Sequence, residues 1–482
     1  MNALWTSAEA ATATGGTLMG GDWQAGSVSI DTRSLTGGDL FVALAGPNHD
    51  GHDWLAAARE AGAAAAIVRS GSAAPDGLKT LAVADTAAAL AALGRHARDR
   101  TPAKIAAVTG SAGKTGTKEA LALALGALGP AHASAGNLNN HWGAPLSLAR
   151  MPAATEWGVF ELGMSAPGEL TALSRLVRPH VAIITTIAPA HLEHFASLDA
   201  IADAKAEIFL GIETGGTAIL NRDDPYFGRL AAAARAAGVA RILSFGSAGD
   251  ADARLLAYAP TGDGAGMAAD IGGARIDLTT GLTGRHWAQN ILAVLAAVHA
   301  LGGDVTRAAA ALANLQAPVG RGRRVTVRTA GGNYLLIDDS YNANPASIRA
   351  ALAVLGETIP GPGGRRIAVL GDMLELGPHA ALLHAGLAAA VEASSVDLVF
   401  TAGPLMAELA EATPPALRGA HAGDAAALLP LVRAAVRAGD VVLVKGSNGS
   451  RMGPLAAALA QPAGTGGGGT VDTRRAAAPA EG

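Results

Sequence analysis

The chain contains no cysteine. That single absence excludes disulfides, thiolate metal sites and a cysteine nucleophile. Aromatic residues make up only 4% of its 482 residues, so its cores are built from Ala, Val, Leu and Ile. Charge is sparse as well, at 16% of residues, and a net charge of −4 leaves no basic footprint for nucleic acid or an anionic membrane surface. No apolar run reaches the ~18 residues of a membrane span before Gly, His or a charge interrupts it. Residues 1–14 lack the basic cluster and apolar core of a signal peptide. The expectation is a soluble cytoplasmic protein with no nucleic-acid partner and no membrane insertion. What is abundant is hydrophobic residues, at 50%, enough for large cores. At about 150 residues per domain, the length suggests about three domains.

One stretch organises the chain: Thr109-Gly110-Ser111-Ala112-Gly113-Lys114-Thr115-Gly116-Thr117-Lys118. It follows the apolar run Ile105 to Val108 and enters an Ala- and Leu-rich helical segment from Ala120 to Leu125. Strand, glycine loop, Lys-Thr, helix is the layout of a phosphate cradle, in which loop amides and a helix N-terminus face an anion. Lys114 reaches the outer phosphates, and the Thr115 hydroxyl is placed to ligate Mg²⁺. Val108 stands where the longer form of the motif has glycine, leaving G-x-x-G-K-T.

Upstream, the first hundred residues read as a small α/β unit. Ser27 to Ile30 and Asp39 to Leu44 are extended, and Asp50-Gly51-His52-Asp53 opens a helix running to about Ala61, with Asp50 or Asp53 as its cap. Asp31, Arg33 and Ser34 lie in a polar turn whose bland reading is a surface ion pair. Between about 101 and 318, strands alternate with helices, the pattern of a mostly parallel sheet covered on both faces. Ligands of such sheets gather at the carboxyl ends of the strands. There stand Glu161, the segment Ala190-His191-Leu192-Glu193-His194, Asn221 with Asp223 and Asp224, and Arg285-His286 opening a helix with Asn290. From about Val319 a third α/β unit follows. Its strand ends carry Asp338-Asp339-Ser340-Tyr341-Asn342-Ala343-Asn344-Pro345, Gly371-Asp372 and Lys445-Gly446-Ser447. Four consecutive glycines and Ala-Pro repeats mark 463–482 as a disordered tail.

Each candidate has two readings. Glu161 is either an Mg²⁺ ligand beside the phosphates or a helix cap. His191 and His194 have the spacing of a metal pair but no third ligand at zincin spacing. Lys205, in Asp203-Ala204-Lys205-Ala206-Glu207, reads locally as an exposed helix lysine with partners four residues away. Arg321 is a hinge residue or a phosphate clamp. The Asp339 to Pro345 run is a capped turn or part of a substrate site, and Lys445 a surface lysine or an anion anchor.

Taken together and in order, these motifs resemble the Mur ligase family of ATP-dependent amide-bond-forming enzymes. The likeness spans residues 27–455 and includes Asn137-Leu138-Asn139-Asn140-His141-Trp142-Gly143-Ala144-Pro145, Glu161-Leu162-Gly163, Ala204-Lys205-Ala206-Glu207-Ile208 and Gly371-Asp372-Met373-Leu374-Glu375-Leu376-Gly377. Asp-Asp-Ser-Tyr-Asn-Ala-Asn-Pro is similar to the members that take D-alanyl-D-alanine as amine donor. The resemblance implies a small N-terminal α/β substrate domain (1–100), a central P-loop parallel-sheet ATPase domain (101–318) and a C-terminal Rossmann-like domain (319–462). It implies ATP and Mg²⁺ as cofactors, UDP-N-acetylmuramoyl-tripeptide and D-alanyl-D-alanine as partners, and a monomer.

The same resemblance implies the roles of individual residues. Gly110, Ser111, Ala112, Gly113, Lys114 and Thr115 would hold the phosphates, with Thr115 and Glu161 on one Mg²⁺. His191 and Lys205, the latter as N6-carboxylysine, would serve a second. His286 and Asn290 would lie near the base, and Arg321 and Asp339 would complete the ATP site on domain closure. Asp31, Thr32, Arg33, Ser34 and the Asp50-Gly51-His52 turn would hold the UDP-sugar. Asn137, Asn139 and Asn140 would face the muramoyl-peptide, and Tyr341, Asn342 and Lys445 the dipeptide or the peptide carboxylate. Two departures from the family pattern are Trp142, in place of an aliphatic residue, and Asn448-Gly449, inserted before Ser450. The alternatives are a sister ligase that adds the third residue, diaminopimelate or lysine, and a non-catalytic P-loop ATP-binding protein.

Overall fold

The computed structural model describes residues 3–189, 192–262, 264–329 and 331–461. Its principal sheets fall in three successive stretches of chain, and the α/β class read from the sequence holds throughout.

The first sheet has five strands in the spatial order Thr17–Met19, Thr80–Val83, Ala65–Arg69, Leu40–Val42 and Val28–Ser29. All its pairings are parallel except the first. The helix expected after Asp50 forms as a 3₁₀ turn, Gly51–Trp54, continued by the α-helix Leu55–Glu60, and Asp50 is its cap. This unit is tied firmly to the next. Trp5 Nε1 donates to the Ala149 carbonyl at 2.8 Å, and Arg100 lies over the Trp5 ring while bonding Leu4, Glu9 and Met151.

The central sheet has nine strands. From Ala131–Ala133 through Trp157–Glu161, Lys104–Thr109, Val181–Ile184, Thr217–Asn221 and Arg241–Gly246 to Ala253–Thr261, every pairing is parallel. The strand Lys104–Thr109 sits between Val181–Ile184 and Trp157–Glu161. The chain therefore leaves it toward one side and later returns on the other, which opens a crevice at its carboxyl end. Helices cover both faces. Lys114–Gly126 and Arg285–Ala300 pack on one core, and Glu169–Val177, Leu198–Ala206 and Phe227–Ala236 on the other. The helix Arg285–Ala300 is buried without a break from Asn290 to Val298, and its many alanines permit that close packing.

The β/α alternation expected up to residue 318 is interrupted. Ala253–Thr261, Gly264–Ile271 and Ala274–Thr280 form an antiparallel meander with no intervening helix. Its second turn is Gly272-Gly273, both at positive φ, a two-residue connection that glycine makes without strain. Ile276, Leu278 and Thr280 point inward while Arg275, Asp277 and Thr279 point out, the period of two of a half-buried strand.

The third sheet runs Arg323–Thr329, Gly332–Asp339, Val441–Lys445, Arg366–Gly371, Leu398–Ala402 and Arg418–Ala422, parallel after its first pair. The edge strand Arg418–Ala422 has no apolar run to announce it, because half-exposed edges do not require one. Asp339 pairs with Lys445 in register, so the strand-end groups of this unit stand side by side.

Candidate active site

The phosphate loop forms as expected. Lys104–Thr109 ends at Gly110, and the helix begins at Lys114 with Gly113 as its N-cap at φ +83°. Gly110 has φ +147°, and a Cβ there would lie 1.9 Å from Thr185 Oγ1. The loop is held open from behind. Thr185 Oγ1 donates to the Ala112 carbonyl at 2.5 Å, Ser111 N to the Thr186 carbonyl at 2.9 Å, and Ala188 N to Ser111 Oγ at 3.0 Å. Asp224 in turn accepts from Thr186 Oγ1 and Ile187 N, both at 2.8 Å. The loop thus keeps its shape through its neighbours, with the Ser111 N–H committed to the strand end behind it, and the amides at the N-terminus of the Lys114–Gly126 helix are the ones left for an anion.

Around it stand four groups named from the sequence. Lys114 is half-buried, with Nζ on the Gly110 carbonyl at 2.8 Å. Desolvation lowers its pKa, with Glu161 opposing that shift and Arg321 adding to it. Glu161 is buried and does not cap a helix. One of its oxygens accepts from Thr115 Oγ1 at 2.8 Å and the other from Asn139 Nδ2 at 2.7 Å. Thr115 and Glu161 thus present a hydroxyl and a carboxylate together, the hard oxygen donors that suit Mg²⁺. Asn290 packs against the loop, where a Cβ on Gly113 would come within 2.9 Å of its Oδ1.

Lys205 corrects the local sequence reading. It is not an exposed helix lysine: its side chain is 2% exposed, on the inner face of Leu198–Ala206. No hydrogen bond or ion pair to another described residue holds it. Burial, with repulsion from Lys114, pushes its pKa well below the ordinary lysine value. Both effects disfavour the ammonium form. His191 lies outside the described residues. Among those described, no three His, Asp or Glu side chains cluster as a metal site.

The third unit approaches the loop from the other side. Lys445 is buried and pairs with Asp339 at 2.7 Å, while also donating to the Asn342 carbonyl at 2.9 Å. Burial nevertheless outweighs Lys445 and Arg321 and raises the Asp339 pKa. The Arg321 guanidinium lies 4.1 Å above the Tyr341 ring, and Tyr341 N donates to the Gly320 carbonyl at 2.9 Å. A cavity between the central and third sheets is lined by His286, Trp287, Arg321 and Asp339. Burial and the Lys445 charge push the His286 pKa down to about 4, so it is neutral at physiological pH.

The polar candidates of the first unit form two groups. Arg33 and Asp31 make an exposed bidentate pair at 2.7–3.1 Å, and Ser34 Oγ donates to the Asp31 carbonyl. Asp50 accepts from His52 Nδ1 at 2.5 Å, while His52 Nε2 accepts from Arg69 N at 2.9 Å. Asn140 Oδ1 accepts from Trp142 N and Gly143 N and so starts the helix Gly143–Ala149. Asn137 accepts the Asn139 amide through its carbonyl. Trp142, the departure from the family pattern, packs on the Gly46 turn, where a Cβ would meet its ring at 2.9 Å. It thereby joins the Asn139-Asn140 loop to the turn that leads to Asp50.

Three residues stand in the motifs read from the sequence without a role given to them there. Lys118, four residues beyond Lys114, is fully buried and donates to the Ser134 and Gly136 carbonyls at 2.8 and 3.3 Å and to Glu119. Asp224 clamps the strand end behind the loop, and Asn344 reaches the loop itself. The only sequence signal was their place within polar runs at strand ends or on the loop helix.

A phosphate loop at a switch point, with hard-oxygen metal donors beneath it and a second α/β unit closing over it, defines a nucleotide-dependent enzyme of the P-loop class. Three family models cover most of the chain: the Mur ligase family catalytic domain at residues 25–98, the Mur ligase middle domain at 108–298 and the Mur ligase glutamate ligase domain at 322–448. The chain is 35% identical over 446 residues to UDP-N-acetylmuramoyl-tripeptide–D-alanyl-D-alanine ligase of Escherichia coli K12, covering 92% of this chain and 96% of that one. Its counterpart from Bacillus subtilis is 34% identical over 429 residues, covering 88% and 91%. A crystal structure of MurF from Acinetobacter baumannii superposes with a TM-score of 0.82 at 31% identity, covering 95% of this chain and 98% of that one. MurF of Thermotoga maritima, in complex with ADP, gives 0.75 at 27% identity, covering 90% and 97%. The chain belongs to the Mur ligase family.

Proposed function

We propose that this protein joins D-alanyl-D-alanine to UDP-N-acetylmuramoyl-tripeptide, converting ATP to ADP and phosphate and supplying the pentapeptide precursor of peptidoglycan. The observation that carries the proposal is the meeting of two units over one loop. Lys445 and the Asp339–Asn342 turn belong to one sheet, while Lys114, Thr115 and Glu161 belong to another, and Asn344 bonds across them. A ligation that activates one substrate and then admits a second calls for such a divided site. Relatives bearing this activity in their names cover about nine-tenths of the chain.

The chemistry follows from the groups present. A carboxylate is a poor electrophile, so the tripeptide carboxylate first attacks the γ-phosphate in line. Lys114 and the amides at the N-terminus of its helix spread the charge that develops. The acyl phosphate then loses phosphate to the dipeptide amine through a tetrahedral intermediate, giving an amide. Open water would hydrolyse the acyl phosphate, and closure of the third unit excludes it. In this reading Tyr341, Asn342 and Lys445 orient the dipeptide, and Arg321 and Asp339 complete the nucleotide site with His286 and Asn290. Asp31, Arg33 and Ser34 hold the UDP-sugar, and Asn137, Asn139 and Asn140 the peptide. The three working domains are 1–100, 101–318 and 319–462.

Thr115 and Glu161 would hold one Mg²⁺, and His191 with Lys205 a second; bound there, the ions neutralise charge on the phosphate oxygens. A lysine ammonium would repel a cation. The buried Lys205 amine is instead suited to add CO₂, forming the N–C bond of a carbamate and releasing one proton, which turns a repelling group into an anionic oxygen ligand. Among the described residues no helix is long and apolar enough to cross a membrane. In this reading the ATP- and UDP-linked substrates call for a cytoplasmic enzyme, which acts as a monomer.

The test is phosphate release from MgATP with the UDP-tripeptide present and the dipeptide added or withheld, the product being followed by mass spectrometry. Release that needs both, with a pentapeptide product, supports the assignment. Release with a diamino acid and the dipeptide precursor instead would assign the sister reaction.

A further inference from the structure

Asn344 is the N-cap of the helix Pro345–Glu357 in the third unit, and it uses both ends of its amide. Oδ1 accepts from Ser347 N at 2.8 Å, and the Asn344 backbone N–H donates in return to Ser347 Oγ at 2.9 Å, a complete capping box. Because Oδ1 is engaged by an N–H, the amide orientation is fixed and Nδ2 faces away from the helix. It donates to the Ser111 carbonyl, inside the phosphate loop, at 3.2 Å. The two residues are 233 apart in sequence and belong to different sheets. The same short run carries Tyr341 under Arg321 and Asn342, whose carbonyl receives Lys445.

We infer that Asn344 is a positioning residue that couples the shape of the phosphate loop to closure of the third unit and so to placement of the amine donor. Ser111 is itself fixed by the strand end behind it through Thr186 and Ala188. Its carbonyl therefore meets Nδ2 only when the loop is formed and the third unit is closed. The bond ties the start of one helix to the loop that starts the other, with the Tyr341-Asn342 turn between. Such an interaction, absent from the open enzyme and present in the reacting one, lowers kcat when lost and leaves the open-state affinity for ATP largely unchanged. The inference rests on reading residues 109–115 as the ATP phosphate loop.

The capping and coupling roles separate by substitution. Asp and Ser cap helices about as well as Asn. Asn344→Asp keeps the cap but turns a carboxylate oxygen toward the Ser111 carbonyl, and Asn344→Ser keeps the cap without charge but is too short to reach it. Both variants should melt within about 2 °C of wild type, whereas Asn344→Ala, which loses the cap, melts lower. For phosphate release with both substrates, kcat should fall about fivefold in Asn344→Ser, the worth of one neutral hydrogen bond, and more than tenfold in Asn344→Asp. Small-angle scattering with a non-hydrolysable ATP analogue should show less compaction in both than in wild type. Wild-type kcat and compaction in both variants would overturn the coupling, as would a loss confined to Asn344→Asp, which would mark simple repulsion of the nucleotide. Failure of wild type to require both substrates would instead strike the ligase reading, and the compaction measurement would still decide the coupling.

Discussion

Replacing Lys118 with Met tests whether the phosphate helix also shapes the loop that precedes Asn137. Lys118 is 0% exposed, and its ammonium serves the Ser134 and Gly136 carbonyls as well as Glu119. Met has nearly the same length and no charge, so it fills the space and leaves two backbone carbonyls without their donor. Each charge-assisted bond is worth about 1.5–3 kcal/mol, giving a gross loss of about 3–6 kcal/mol. Relief from burying an ammonium returns part of it, for a net destabilisation of about 2–4 kcal/mol. In a unit of this size that corresponds to a fall of roughly 4–16 °C in Tm. Asn139, which bonds Glu161, follows directly on this loop, so KM for the UDP-linked substrate should rise more than KM for ATP. Differential scanning fluorimetry and steady-state phosphate release measure both. An unchanged Tm with both KM values unchanged would refute the reasoning.

Other expectations follow from single contacts. Gly110→Ala forces a Cβ into Thr185 Oγ1 at a positive φ, and ATP affinity by calorimetry should drop at least tenfold from strain of about 1–3 kcal/mol and a displaced loop. His286 has its folded pKa lowered from 6.5 to about 4. Below pH 6.5 the unfolded chain binds a proton that the fold refuses, so stability present at neutral pH is lost as pH falls toward 4. Urea midpoints should show that slope in wild type and a shallower one in His286→Gln. If Lys205 works as a carbamate, ligase activity should decline in CO₂-free buffer and return with bicarbonate, and Lys205→Ala should respond to neither.

The parts legible in the sequence are those whose meaning is local. Strand, glycine turn, Lys-Thr and helix are contiguous, so the phosphate loop could be read before any packing was known. Glu161 was readable because a carboxylate ending an apolar run in a parallel sheet has few other reasons to be there. Lys205 was not, since the identities of its helical neighbours suit an exposed face and only packing at the crevice buries it. The Asp339 to Pro345 run allows a capped turn, and Asn344 is that cap; its second bond depends on a loop from another sheet that no spacing along the chain encodes. The meander from Ala253 to Thr280 was missed because the overall β/α rhythm outweighed its own alternation, and the Gly272-Gly273 turn was the local signal against it.

The acyl-phosphate route tests most directly by isotope. The UDP-tripeptide is prepared with ¹⁸O in its terminal carboxylate and turned over with MgATP and D-alanyl-D-alanine. Activation at that carboxylate transfers one labelled oxygen to each phosphate released, with the other left in the new amide. Labelled phosphate is the expected result; phosphate that carries no label would contradict the mechanism.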